Sequence, residues 1–449
     1  MATTNPTSGL SLNGSTSLGQ GIDVQQFVTL ALSGDQANIT NLQNTQSILN
    51  AQTTALAKIT ADLNNLQSAV FALNDPLGAV ASQTAISSNS NVLGATAASS
   101  AVPGVHTVVV TSLATTSSYY SDPVTTSSTL LATGSFQFQV GANGPVTVTV
   151  DSTNNTLDGL AAAINNLGAG VRASVITDAN GARLALVSET TGASGDITVS
   201  NNTTGLNFTK AVTGANAALT VDGVPISSAS NSVSNVINGV TLTLVAPAPA
   251  SPITLTVSPD TTQAADAINK FVAAYNTAIA DINAQFNVAS DGTGGGPLEA
   301  DGSLREAQSS LLSAISYSIS GNSGIVNLAA LGVNLNNDGT LTVDSGALNS
   351  ALSSNFAGVQ TFLQSTTGGF ANNLSSVLTN LTDPSAGVLG LDASGISQSS
   401  RDLGQQISNL QASLAVRQQQ LTQVYAQVNA TLQQLPLLQA QLSQQLASA

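Results

Sequence analysis

The sequence predicts a multidomain α+β protein. Long terminal helices form an antiparallel coiled coil or helical bundle, and two β-rich head modules are inserted between them. Three observations predict this. A seven-residue apolar repeat runs near each end of the chain. Between the repeats lie many short β-rich runs separated by turn residues. Charge is scarce: 7% of the 449 residues are Asp, Glu, Lys or Arg, against roughly 25% in an ordinary soluble chain. Apolar residues make up 42% and aromatics 3%, so cores must be aliphatic and surfaces must rely on amides and hydroxyls.

Residues 1–20 are rich in Ser, Thr, Gly and Asn and read as disordered in the free chain. They carry no Lys or Arg and no apolar run of signal-peptide length, so no secretory signal is expected. With the segment to residue 40 they form a disordered tail and an N-terminal leg. Asp23 suits the N-cap of a short helix through Leu32, and Ser33-Gly34-Asp35 is expected to interrupt it. A long helix over 41–74 follows. Leu42, Leu49, Leu56, Leu63 and Val70 form one row of its seam, and Thr45, Gln52, Ile59, Leu66 and Leu73 the other. Asp75-Pro76 and Gly78 end it.

Residues 79–260 are β-rich. Runs such as VHTVVVTSL, GSFQFQV, PVTVTV, VRASVIT, RLALVS and GVTLTLV read as strands, with one helix over 156–165. Ala246-Pro247-Ala248-Pro249 reads as a short stiff connector. Two modules are expected: 79–127 with 216–260, and 128–215 inserted into it. Residues 261–399 return to helix. Ala267, Phe271, Ala274, Ala278 and Ile282 mark an amphipathic face. A glycine-rich loop covers 291–302, and helices are expected over 304–320, 348–363 and 370–381. Asp338-Gly339 between alternating apolar residues signals a hairpin. Residues 41–78 and 261–399 together are expected to form a helical bundle domain.

Residues 400–449 read as a C-terminal coiled-coil leg. Ile407, Leu414, Leu421, Val428, Leu435 and Leu442 recur every seven residues. Leu403, Leu410, Arg417, Val424, Thr431 and Leu438 supply the second register. Pro436 predicts a kink or break near 433–435. Each fully buried Leu contributes roughly 1.5–3 kcal/mol, so the two seams should pack antiparallel as a stalk, with Leu56 and Leu63 near Leu414 and Leu421. An intramolecular bundle alone, or a bundle with surface left over for self-assembly, both fit. From Ser408 onward the only charge is Arg417, so association should depend weakly on salt. Arg417 either snorkels or pairs with Asp62 or Asp35. Lys58 reads as solvated.

Composition and motifs exclude several functions. Eight cations against 23 acids give a net charge of −15, which disfavours nucleic acid and anionic membranes as partners. No run approaches the roughly 18 apolar residues of a membrane span. With no cysteine and one histidine, thiol chemistry, disulfides and Cys/His zinc sites drop out. His106 lies in a strand pattern and reads as a packed or surface residue. Asp291, Glu299 and Asp301 lack the spacing of a calcium loop, and GTGGG has no lysine after it to hold a phosphate. No catalytic, cofactor-binding or metal residues are expected, nor an enzyme.

The order of several segments resembles the flagellar filament cap family, also called flagellar hook-associated protein 2. SLGQGIDVQQFVTLAL is similar to its opening segment, and LQNTQSILNAQTTAL to the seam that follows. ATAASSAVPGVHTVVVTSLATTSS resembles a family strand, with His106 where tyrosine is common. NTLDGLAAAINNLGAGVRASVITDANGARLALVSETTG, ALTVDGVPISSASNSVSNVINGVTLTLV and INKFVAAYNTAIADI continue the likeness. It departs at the terminal helices, where amides and hydroxyls replace the family's charges, and at Pro436. The resemblance implies a secreted protein at the distal tip of the bacterial flagellum, exported through the flagellar channel with a chaperone. It implies a homo-oligomeric ring, commonly a pentamer, with β-modules as the plate and terminal helices as legs among flagellin subunits. The ring would promote flagellin assembly and prevent leakage, with a further adhesin role in some bacteria. A hook–filament junction protein, a flagellin or a surface adhesin are the alternatives, and the 155–192 stretch and the Asp222-Gly223 strand weigh against a flagellin.

Overall fold

A computed structural model of the chain describes residues 22–287, 294–322 and 324–447. The tail at 1–21 and Asp291 in the glycine-rich loop therefore lie outside the described residues. Helix α1 runs unbroken over Val24–Asn74. The Asp23 carboxylate accepts from the N–H groups of Gln25 and Gln26 at 3.0 and 3.2 Å, as its N-cap position predicts. The expected break at Ser33-Gly34-Asp35 does not occur. A single exposed helical glycine costs only about 1 kcal/mol, and Leu32 and Ile39 on either side of it are buried.

The strands and the remaining helices follow in chain order. They are β1 (Gln83–Ser87), β2 (Leu93–Ala97), β3 (Gly104–Ser112), β4 (Thr116–Ser121), β5 (Gly134–Val140), β6 (Val146–Val150), α2 (Leu157–Leu167), β7 (Val171–Asp178) and β8 (Gly181–Thr191). Next come β9 (Ile197–Ser200), β10 (Phe208–Val212), β11 (Ala217–Val221), β12 (Val224–Ser228), β13 (Ser232–Ile237), β14 (Val240–Leu244) and β15 (Ile253–Pro259). The chain then forms α3 (Thr261–Phe286), α4 (Gly302–Ile315), β16 (Val333–Leu335), β17 (Leu341–Val343), α5 (Ser345–Ser354), α6 (Phe356–Gln364), α7 (Phe370–Thr382) and α8 (Val388–Ala447).

Two β-modules have separate cores. One packs a five-stranded sheet, ordered β1-β15-β3-β11-β12, with a three-stranded sheet, β13-β14-β2. Leu93, Val108, Val110, Leu219, Leu242 and Leu255 fill its interior. The other combines β10-β4-β8-β7 and β6-β5-β9 with α2. Phe136 and Phe138 alternate inward from β5 toward Leu160, Ile164 and Leu186, the period of two expected of a half-buried strand. The Thr156 hydroxyl caps α2 by accepting from Gly159 N–H at 3.1 Å. Strand β4 lies outside the inserted module as drawn from sequence at 128–215, yet it pairs with β8 and β10. The crossing between modules is pinned by the Thr115–Ala215 bridge.

The helical core gathers the lower half of α1, then α3 to α7 and the first turn of α8, around Leu63, Phe271, Tyr275, Phe362 and Phe370. Asn276 reads both polar atoms of Leu341, donating to its carbonyl at 2.8 Å and accepting its N–H at 2.7 Å, which fixes the β16–β17 hairpin on α3. Tyr275, fully buried, donates to Gly339 O at 3.0 Å, and burial pushes its phenol well above the usual range. The single helix expected over 348–363 is two, because Asn355 ends α5 and caps α6, accepting from Gly358 N–H at 3.1 Å. Helix α4 stops at Ile315, short of 320. Helix α8 starts within the domain assigned to 261–399 and passes through Pro436 without a break.

Candidate assembly interface

Helices α1 and α8 pair along much of their length. The Phe27 ring lies 5.9 Å from that of Tyr425. Arg417 Nη1 meets Asp35 Oδ2 at 3.0 Å. Gln46 donates to Ser400 O at 3.3 Å, and the Ser400 hydroxyl reaches Asn50 Oδ1 at 2.8 Å. At the far end, Ile22 N–H donates to Asn429 Oδ1 at 2.8 Å. Partner numbers fall along α8 as they rise along α1, so the two helices run antiparallel. Gly404 leaves room for the Gln46 amide, whose nitrogen would stand 2.8 Å from a Cβ there.

The seam residues divide by depth. Leu56, Leu63 and Val70 are fully buried in the helical core, while Leu42 and Leu49 are half-buried. The second row is not constant. Along the upper half of α1 it comprises Leu32, Ile39, Gln46 and Thr53, leaving Thr45 exposed; below, it comprises Ile59, Leu66 and Leu73. An α-helix of 3.6 residues per turn drifts about 20° per heptad against a strict seven-residue repeat, and the partner changes along the helix from α8 to α3 and α7. On α8, Ile407 is buried and Leu414 and Leu421 are half-buried. Val428, Leu435 and Leu442 are 43%, 39% and 62% exposed. Beyond Leu421 the inward row passes instead to Tyr425, Asn429 and Leu432, all half-buried.

Two expectations need correction. Leu414 does not face Leu56: it lines a depression with Asp35, Asn38 and Ile39, because the register sets Arg417 against Asp35. Leu56 and Leu63 pack into the helical core instead. Lys58 is not solvated alone; its ammonium contacts Asp281 of α3 and lies 3.4 Å from Asp62. Sequence reasoning also missed the Phe27–Tyr425 contact. Two aromatics in a chain where they are rare were a signal in themselves, but they stand in the Asp35–Arg417 register, not in the one the heptads suggested.

The residues weighed for chemistry have structural partners. His106 Nδ1 lies 2.8 Å from Asp222 Oδ2, and Asp222 Oδ1 accepts from Thr107 N–H at 2.8 Å. The His106 hydrogen bond, then the backbone N–H, hold the Asp222 carboxyl below its usual range. This fixes the β11–β12 turn, where Asp222 and Gly223 both have positive φ, 52° and 82°. Asp301 caps α4, accepting from Leu304 N–H at 2.8 Å, and Glu299 accepts from Gly295 N–H at 2.6 Å. Among the described residues, no group of three or more His, Cys, Asp or Glu side chains is placed to hold a metal ion. No described helix is long and apolar enough to cross a membrane.

A chain whose distant ends pair through apolar and amide contacts, with β-modules spliced between them, is built as a structural protein. Comparison with known proteins narrows this. Residues 20–117 match the model of the flagellar hook-associated protein 2 N-terminus and 214–436 that of its C-terminus. The chain is 35% identical over 432 residues to the B-type flagellar hook-associated protein 2 of Pseudomonas aeruginosa, covering 88% of each. It is 28% identical over 370 residues to the Escherichia coli K12 flagellar hook-associated protein 2, covering 76% of this chain and 78% of that one. A crystal structure of the flagellar cap protein FliD, domains D1-D2-D3, from Escherichia coli aligns with a TM-score of 0.59 at 27% identity, over 76% of this chain and 99% of that one. The chain belongs to the flagellar hook-associated protein 2 family. Residues 135–190 match a motif described as the flagellin hook IN motif. The 155–192 stretch therefore does not by itself weigh against a flagellin, as the sequence reading had it; the flanking matches decide.

Proposed function

We infer that this protein caps the flagellar filament, sitting at its distal tip, promoting assembly of exported flagellin and preventing its escape. The observation that carries this is the 35% identity to a hook-associated protein 2 across 88% of both chains. In this reading α1 and α8 form an antiparallel coiled-coil leg, and the β-modules form the head. The leg comprises residues 1–40 and 400–449, and the helical domain 41–78 with 261–399. Copies close into a ring, a pentamer by the family resemblance, after export with a chaperone. The Val428, Leu435 and Leu442 side chains, exposed on α8, meet flagellin or neighbouring copies. Their neighbours are apolar residues, Gln, Asn, Ser and Thr, with no charge among them, so these contacts are interchangeable along the leg and weakly screened by salt.

Deletion of the gene tests the reading. Cells lacking it should release flagellin monomers into the medium and lose motility, and the intact gene should restore both. Full-length filaments in the deletion strain would overturn it.

A further inference from the structure

Helix α8 leaves the helical domain at a point that carries an unusual pair of acids. Leu389 is fully buried and Ala393 packs on the same core. Asp392 sits on that inward stripe with Leu389, Ala393 and Ile396, the spacing of one helix face. Among the described residues its Oδ2 is shut off from solvent and has no hydrogen-bond donor. Helix α4 packs on α8, and the carboxyl of Asp301 at its N-cap acts on Asp392 by hydrogen bonding and charge. Asp301 must remain an acceptor, because it caps α4 through Leu304 N–H.

We propose that Asp301 and Asp392 form a proton-operated latch: with a proton on Asp392 its hydroxyl donates to Asp301 and ties the root of α8 to α4, and without it the two charges repel and the root loosens. A buried acceptor without a donor is costly, and one proton supplies the donor. No cation is committed to the pair among the described residues. Helix α7 carries no charged residue. Lys58 of α1 is held by Asp62 and Asp281. On α4, Arg305 donates to Glu299 O at 2.7 Å and stacks on Phe286, and Glu306 is exposed. Burial, then the hydrogen bond and charge of Asp301, push the Asp392 carboxyl up to about 6. A raised acid stabilises the packed form while protonated, so the attachment is strongest in acid. It weakens as pH climbs from the ordinary carboxylate value and is gone above about 6. The latch does not depend on what α8 contacts in an assembly.

Carbon-13 NMR of the aspartate carboxyls and hydrogen exchange of residues 388–406 in the full chain test this. Asp392 should titrate near 6. After correction for intrinsic rates, protection at 388–406 should be about tenfold higher near pH 4.5 than near pH 7.5, a figure already discounted for partial exposure. Asp392→Asn, whose amide donates at every pH, should abolish that dependence. Asp301→Asn, still a good cap, should return Asp392 toward the ordinary range. A midpoint for Asp392 below about 4.5, the same pH trend in Asp392→Asn as in the wild type, or an unmoved Asp392 midpoint in Asp301→Asn would overturn the proposal.

Discussion

At the scale of single residues, cations stabilise little here and leucines much. Arg417 and Asp35 are 60% and 46% exposed, and exposed pairs contribute about 0–1 kcal/mol. Arg417→Gln should therefore change unfolding free energy by less than about 1 kcal/mol. Leu63→Ala, at a fully buried position, should cost about 2–5 kcal/mol. Urea titration followed by circular dichroism separates the two; comparable losses would contradict this ranking. Acid sensitivity should appear in the inserted β-module. Burial alone would raise the Asp196 carboxyl, but Lys210, the Gly214 N–H and Ser117 outweigh it and hold it below the usual range. A depressed carboxyl contributes stability above its unfolded value and loses it as pH falls through the folded one. Asp196→Asn should lessen the module's loss of thermal stability on acidification below about pH 4, measured by calorimetry; an unchanged acid profile would contradict this.

At the scale of elements, α1 shows a local signal losing to packing. Gly34 looked like a break, yet nothing lies within 4 Å of a Cβ placed there, so the helix continues at the cost of one weak residue. Gly34→Ala should raise stability by about 0.5–1 kcal/mol, visible as a higher urea midpoint; a loss would mean the glycine serves a contact. The β16–β17 turn was legible because Gly339 occupies φ +82°, where an Asp-Gly pair is favoured. Strands β1, β2, β4, β10, β12 and β13 were not read. Each is short; β1, β2, β4 and β10 are held by partners distant in sequence, while β12, which carries Pro225, and β13 are edge strands of tight hairpins with β11 and β14. The heptads were legible as periodicity, but not which face turns inward beyond Leu421. That depends on how far α1 extends opposite α8, and no local spacing encodes it.

At the scale of the whole molecule, the two chain ends meet while the β-modules fold between them. The sequence has no cysteine, so introduced pairs report this register cleanly. Asn50→Cys with Ser400→Cys, whose side chains touch at 2.8 Å, should oxidise readily to an intramolecular disulfide. Leu56→Cys with Leu414→Cys should not, and the reverse pattern, read by mobility on a non-reducing gel, would refute the register.

Cryo-electron microscopy of filament tips from cells carrying this protein speaks most directly to its role as a cap. Density at the distal end should fit several copies, with the β-modules outermost and the α1–α8 pair reaching down among the flagellin subunits. A bare tip, with the protein found only at the filament base or in the growth medium, would contradict it.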